Sequence, residues 1–227
     1  MKVTYFNHSG FLVETENKVL VFDYYSQGKL FDFFDPKSYK GKDIIFFVSH
    51  NHSDHFDTKI LDWTDEASYV ISHDVTLDTA FCGEVLYVKP HETYQFQGLT
   101  IETLLSNDEG VAFAVLVDGK AIYHGGDLNW WHWNGESQEF NNEIAKSYQD
   151  EILRIKGRKF QVAFIPADLR LQDKYYWATD YFMQEVDADA VFPMHFWGKF
   201  EVCRMLKEKP YGDKIIQISK ENETFTI

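Results

Sequence analysis

The segment DIIFFVSHNHSDHFD, residues 43–57, decides how this chain is read. Its first half is a nearly continuous apolar run, as expected of a strand covered on both faces. Its second half sets His50, His52, Asp54 and His55 within six residues. Side chains at i and i+2 of an extended segment project to one side, so His50 and His52 are placed to grip one ion. As the chain turns toward a helix, Asp54 and His55 are placed to face a second ion, and Asp54 also suits a helix's first turn. The plain alternative is a polar loop with exposed histidines and an aspartate cap. The buried strand that delivers the cluster argues against it.

Upstream, VTYF, FLVET and KVLVFD are short, rich in β-branched and aromatic residues and separated by turn residues, so residues 3–23 predict a strand meander. Downstream, helix and strand signals alternate. A short helix is expected over 57–63, a strand at 69–73, a helix over 74–81, and strands at 84–88, 92–96 and 99–104. Residues 111–124 predict a hairpin about Asp118-Gly119. A helical pattern (Phe140, Ile144, Tyr148, Ile152, Ile155) covers 137–156, followed by a buried strand at 159–166. A helix at 174–185, a strand at 190–195, a helix at 199–208 and a final strand at 214–219 complete the expectation.

The segments FLVETENKVLVFD and AFAVLVDGKAIYHGGD are both apolar hairpins that end in aspartate, a hint of a duplicated half. Two stacked mixed sheets with helices outside would satisfy the strands that look buried on both faces. No linker rich in Pro, Gly or Ser divides the chain, so one domain over 1–227 is expected.

Acidic residues outnumber basic ones by 36 to 22, a formal charge of -14 that repels polyanions and argues against extended nucleic acid as partner. Bound divalent cations would reverse that field locally, so a small anionic substrate stays open. Cys82 and Cys203 form neither a disulfide framework nor a cysteine zinc site. No apolar segment of signal-peptide or membrane-span type is seen, and a cytoplasmic protein is expected. The expected partner is a small-molecule substrate, with no membrane and with a homo-oligomer left open.

Two further residues stand in settings like that of the first cluster. Asp127 follows AIYH through Gly125-Gly126, which lets the backbone bend close to a ligand, and His195 ends AVFPM. Their plain alternatives are a turn aspartate and a half-buried histidine.

With SHNHSDH, HGGD and PMH in this order, the chain resembles the metallo-β-lactamase superfamily along essentially its whole length. The resemblance implies an α/β, four-layer αββα sandwich, two mixed sheets flanked by helices, with one or two divalent ions at an edge. It implies that His50 and His52 serve one site, that Asp54, His55 and His195 serve the other, and that Asp127 bridges them. Within the superfamily the chain looks most like the branch that includes the ascorbate-phosphate lactonases and other hydrolases.

One departure stands out. The family pattern supplies a further histidine just before a Gly-led strand, whereas the corresponding region reads TLLSNDEGVAF. Ser106, Asn107, Asp108, Glu109 or water must fill that place. Asp108 is preferred, because a carboxylate ligates a hard or borderline ion or holds its water. Zinc is the first expectation for the metal. Oxygen in place of nitrogen shifts preference toward manganese or iron.

Metal-bound imidazoles usually donate their other N–H to a carboxylate or carbonyl. Asp23, ending VLVFD, and Asp168, in FIPADLR, suit that role. His8 is read as a turn histidine that the resemblance could place near the metals, and His73, His91 and His124 as structural. The aromatic run 128–133 predicts a wall over the substrate, with at least one tryptophan packing on the long helix and Phe196-Trp197 joining the wall.

The expected function is a metal-dependent hydrolase using a metal-activated water on a small ester, lactone or phosphoester. Asp54 or Asp108 would carry the proton to the leaving group. The competitors are a metal-dependent nuclease or phosphodiesterase, a catalytically weak metal-binding or sensing protein, and a di-iron redox centre.

Overall fold

A computed structural model describes residues 1–26, 34–78 and 81–227. Its strands in chain order are β1 (Lys2–Asn7), β2 (Gly10–Glu14), β3 (Lys18–Phe22), β4 (Asp43–Val48), β5 (Ala67–Ser72), β6 (Glu84–Val88), β7 (Thr93–Phe96), β8 (Leu99–Leu105), β9 (Val111–Val117), β10 (Lys120–His124), β11 (Lys159–Pro166), β12 (Asp187–Met194) and β13 (Glu223–Thr226). The helices are α1 (Gln138–Leu153), α2 (Trp177–Glu185) and α3 (Glu201–Lys207), with 3-10 turns at Pro36–Tyr39, Thr58–Trp63 and Leu169–Lys174.

The strands form a seven-stranded sheet, β13-β1-β2-β3-β4-β5-β6, and a six-stranded sheet, β12-β11-β10-β9-β8-β7. Both are mixed. In the first, β2 and β3 form a hairpin and β4 joins β3 in parallel; in the second, β9 and β10 form a hairpin and β11 joins β10 in parallel. The hairpin resemblance read from the sequence thus has a topological counterpart, with each hairpin feeding a run of parallel strands. The tips meet: Thr15 Oγ1 donates to Asp118 Oδ2 at 2.7 Å, and Asn17 N–H donates to the same oxygen at 3.3 Å.

Period-two alternation explains why β3 and β4 read as continuous apolar runs. Leu20, Phe22, Ile45 and Phe47 belong to the core cluster shared with the second sheet. Val19, Val21, Ile44, Phe46 and Val48 belong to a separate cluster with Phe34, Ile60 and Val75. Both faces are covered from Val19 to Phe22 and from Ile44 to Val48, and the polar residues stand only at the strand starts, where Lys18 Nζ donates to Asp43 Oδ2 at 2.8 Å. Aromatic contacts tie the sheets together: Phe47 meets Phe113 edge-on at 5.3 Å, and Phe11 lies 4.2 Å from Phe164. Each buried Phe contributes about 1.5–3 kcal/mol of apolar transfer free energy.

The helical layers are unequal. Helix α1, capped by Ser137 accepting from Phe140 N–H at 3.1 Å, and α2 bury Tyr148, Ile152 and Phe182 in the shared core. Over the other sheet, the short helix expected at 57–63 is a 3-10 turn capped by Asp57. The helix expected over 74–81 is not formed at residues 74–78, and residues 79–80 lie outside the described set. The final strand is also displaced. Residues 214–219 touch β12 through a single parallel bridge, Val191 to Ile215, while the last strand is β13, antiparallel to β1. Ile215 and Ile218 bury as core plugs, which is why KIIQIS carries a strand-like pattern. No helix among the described residues is long and apolar enough to cross a membrane.

Candidate metal centre

The chemistry-bearing residues gather where β3, β4, β10, β11 and β12 end, the carboxyl edge of the parallel strands. Asp23 follows β3, the His50–His55 segment follows β4, Asp127 follows β10, Asp168 follows β11 and His195 follows β12. Three of the residues there lie in the left-handed region, His8 at φ 43°, Asp23 at φ 43° and His195 at φ 60°. Non-glycine residues rarely adopt it, and such strain concentrates at functional sites.

Asp127 is the centre of the cluster. Its Oδ1 lies 3.2 Å from His55 Nε2, and its Oδ2 lies 3.7 Å from His50 Nε2 and 3.5 Å from His195 Nε2. Each of these imidazoles is tethered through its other nitrogen. His55 Nδ1 donates to Asp23 Oδ2 at 2.8 Å, and His195 Nδ1 donates to Asp168 Oδ2 at 3.1 Å. Ser49 gives its hydroxyl proton to Asp23 at 2.7 Å, so it accepts from His50 Nδ1 at 2.9 Å. The network therefore sets one tautomer for all three rings and presents three Nε2 atoms to one carboxylate.

These atoms are short of partners. His55 Nε2 and Asp127 Oδ1 are buried without a hydrogen bond. Apart from their mutual approach at 3.2 Å they meet no partner among the described residues, so the pair is a ready place for an ion to fill. Borderline nitrogens and hard carboxylate oxygens are the donor set of a divalent transition ion, and the residues present fit one. Three groups have ligand atoms mutually within 4.8 Å: His50, His55 and Asp127; His8, Asp54, His55 and His195; and His52, Asp108 and Asp127.

The electrostatics are strongly coupled. Burial works against charge on His55, but the carboxylates of Asp127 and Asp23 hold its pKa well above the usual histidine range. Burial likewise opposes charge on His195, and Asp127 and Asp168 carry its pKa up to about 9. Burial would raise Asp127, yet His55 and His195 hold it well below the carboxylate range. His50 is pushed down to about 4, by burial and by the neighbouring His55.

His50, His52, Asp54, His55, Asp108, Asp127 and His195 are all placed here, with differences in detail. His52 is exposed; its Nδ1 lies 3.0 Å from His50 Nε2 and its Nε2 lies 3.5 Å from Glu109 Oε2. Asp54 Oδ2 is 3.1 Å from His8 Nε2. Asp108 faces the same cavity as His52 and Asp127, where burial and then the Asp127 charge raise its pKa. Asn107 is occupied elsewhere, donating to Asn129 O at 2.8 Å and accepting from Asn129 N–H at 3.2 Å.

Three residues were set aside or overlooked in the sequence. His8, read as a turn histidine, is buried, with its ring 4.3 Å from that of His195. His124 donates from Nε2 to Ser9 O at 3.0 Å and accepts from Gly126 N–H at 3.2 Å, which steadies the bend that carries Asp127. Its position three residues before Asp127 was the available signal. Arg170, discussed below, carried none.

The cluster opens on a cavity of about 330 Å³ lined by Trp131, Trp133 and Trp197 beside Asp54, Asp108 and His195. Trp131 Nε1 donates to Asp127 O at 2.9 Å. Trp130 instead packs on Tyr148 of α1 and Trp177 of α2. Phe196 does not join the wall. It is buried in the core, stacked 5.5 Å from Tyr5.

Asp23 is fully buried and accepts from His55 Nδ1 and from Ser49, so it acts through the rings it orients. Asp23→Asn is expected to weaken metal affinity by roughly 10- to 100-fold while the protein stays folded. Competition against a chelator of known affinity measures this, and an unchanged dissociation constant would contradict the tether.

Residues 2–142 match the model of the beta-lactamase superfamily domain. A UPF0173 metal-dependent hydrolase of Opitutus terrae is 32% identical over 144 residues, covering 56% of this chain and 63% of that protein. Another, of Bacillus velezensis, is 26% identical over 145 residues with the same coverage, so the match spans just under two thirds of these relatives' length. Among solved structures, Igni18, a metallo hydrolase of Ignicoccus hospitalis, aligns over 100% of this chain and 98% of its own with a TM-score of 0.67 at 20% identity. An isothiocyanate hydrolase from Delia radicum gut bacteria aligns over 100% and 99% with a TM-score of 0.61 at 15% identity. The chain belongs to the beta-lactamase superfamily domain family and has the metallo-β-lactamase fold.

Proposed function

We propose that the chain is a metal-dependent hydrolase acting on a small ester, lactone or phosphoester. One observation carries this reading: three imidazoles, each tethered through Nδ1, present Nε2 to the buried Asp127 carboxylate at the floor of a cavity. The names of the matched relatives support it, as metal-dependent hydrolases. The sequence likeness to the ascorbate-phosphate lactonase branch favours including lactones and phosphoesters.

His50, His52, Asp54, His55, Asp127 and His195 would hold one or two divalent ions, with His8 and Asp108 beside them. Zinc suits the histidine-rich part, and manganese or iron suits the place where Asp108 stands for a histidine. When bound, the metal supplies Lewis-acid charge and brings the pKa of water toward neutrality. The chain's own residues do the rest. Asp108, on the cavity wall, is the group placed to hand a proton to a leaving group. Asp54, engaged by His8, is better placed to hold geometry than to shuttle protons. The tryptophan wall restricts the cavity to small molecules and, with the acidic chain, disfavours a polynucleotide.

The test begins with elemental analysis of freshly purified protein. Chelation, followed by restoration with zinc, manganese or iron, is then combined with a panel of esters, lactones and phosphodiesters. Turnover should vanish on chelation and return with one metal. The double variant His50→Ala, His52→Ala should be folded and inactive, and turnover unaffected by either treatment would sink the reading.

A further inference from the structure

Among the described residues lining the cavity, Arg170 is the single lysine or arginine, in a lining that also includes Asp54, Asp108 and Asp127. Its placement is specific. Asp168 Oδ2 accepts from Arg170 Nε at 2.8 Å and lies 2.6 Å from Nη2 in the same ion pair, and Asp168 Oδ1 accepts from the Arg170 backbone N–H at 2.8 Å. The guanidinium carbon lies 5.6 Å from the Trp133 ring centre and 5.5 Å from that of Trp197. Two indoles and one carboxylate therefore hold a side chain that would otherwise be a floppy surface arginine.

This pinning leaves one edge free. Asp168 takes the Nε and Nη2 side of the fork, and the outer edge formed by Nη1 and the second Nη2 proton has no protein acceptor among the described residues. Two parallel N–H groups in a fixed plane match the two oxygens of a carboxylate or phosphate. The Asp168 oxygen that pins the fork also accepts from His195 Nδ1. The free edge thus stands one carboxylate away from a candidate metal ligand, within reach of a small molecule seated on the metal side.

We propose that Arg170 is a specificity-determining residue that binds a compact oxyanion, a carboxylate or phosphate, carried by the substrate beside the bond to be cleaved. The inference rests on the hydrolase reading and narrows its substrate class to anionic small molecules. It also answers how a chain of charge -14 would draw in an anion: a half-exposed cation stands on the cavity wall, where an entering anion meets it.

The test compares three esters of one alcohol, 4-nitrophenol, on the metal-restored protein: a hemiglutarate ending in carboxylate, a valerate ending in methyl, and an analogue ending in a phosphate monoester. Wild type should prefer an anionic ester over the valerate, and the preferred one tells carboxylate from phosphate. In Arg170→Met that preference, read as the ratio of kcat/KM values, should fall by roughly 10- to 100-fold, mainly through KM. Arg170→Lys should restore part of it. Because the residue-170 backbone N–H still holds Asp168, metal content should match wild type, and a parallel loss of metal would assign Arg170 a merely structural role. Calorimetry with glutarate, glutaramide and inorganic phosphate provides an arm independent of turnover. An anion bound by wild type, weakened in Arg170→Met and accompanied by no ester turnover would support the anion site while overturning hydrolysis. Equal ester preference in wild type and variant, or no anion binding by wild type, overturns the anion site.

Discussion

Asp127→Asn should reduce turnover by at least about a thousandfold and leave the protein with less metal than wild type, while its unfolding midpoint stays close to the parent's. The exchange preserves shape, so packing against Trp131 and the Gly125-Gly126 bend is kept. What changes is charge. The Asp127 oxygens stand at 3.2, 3.7 and 3.5 Å from three imidazole nitrogens, and among the described residues no other carboxylate reaches all three. An amide offers one weaker oxygen and a donor that faces a cation, so several kcal/mol of ligand interaction are lost, and each 1.36 kcal/mol costs tenfold in rate. Metal content per chain and kcat/KM on the best substrate measure the outcome. Full metal occupancy with turnover within tenfold of wild type would falsify the central role given to Asp127.

Gly110→Ala is expected to destabilise the protein by about 3 kcal/mol or more, or to prevent accumulation of folded chain. Gly110 adopts φ +68°, and a Cβ there would sit 2.0 Å from Ser49 O and 2.6 Å from His50 Cβ. The first contact is backbone and cannot swing aside. Ser49 O also accepts from Val111 N–H at 2.9 Å, so relief requires moving the end of β4, which carries His50. Gly119→Ala is the matched control. It has φ +72° with nothing within 4 Å of its Cβ, so only the left-handed conformation is penalised, at about 1–2 kcal/mol. For a chain of this size, 3 kcal/mol corresponds to a fall in Tm of roughly 6–12 °C. Equal melting of the two variants would show that close approach to Ser49 is not what requires glycine at 110.

The elements legible in the sequence share one property, that their signal is local. The apolar run of β4 and the His50–His55 spacing lie in one stretch, and the Asp118-Gly119 hairpin is a turn preference. The misread elements depend on distant partners. KIIQIS has a strand's composition, but its isoleucines fill the core, while the polar ETFT forms β13 because the edge of β1 is open to it. Phe196 and Trp197 read alike in the sequence, and only tertiary packing separates them, Phe196 on Tyr5 in the core and Trp197 beside His8 at the cavity.

By itself the sequence determined that a buried strand delivers a histidine and aspartate cluster, that an aspartate and a histidine follow strands later in the chain, and that β4 must be covered on both faces. These are matters of spacing and periodicity, which backbone geometry turns directly into facing side chains. Only the tertiary structure decided that Asp127 stands among three rings, that Asp23 holds His55 and Asp168 holds His195, that His8 joins Asp54, and that Arg170 is held at the cavity by two tryptophans. Those relations link residues far apart in the chain. They arise because two sheets pack with the carboxyl ends of their parallel strands on one edge, and no local pattern encodes which loop ends meet there.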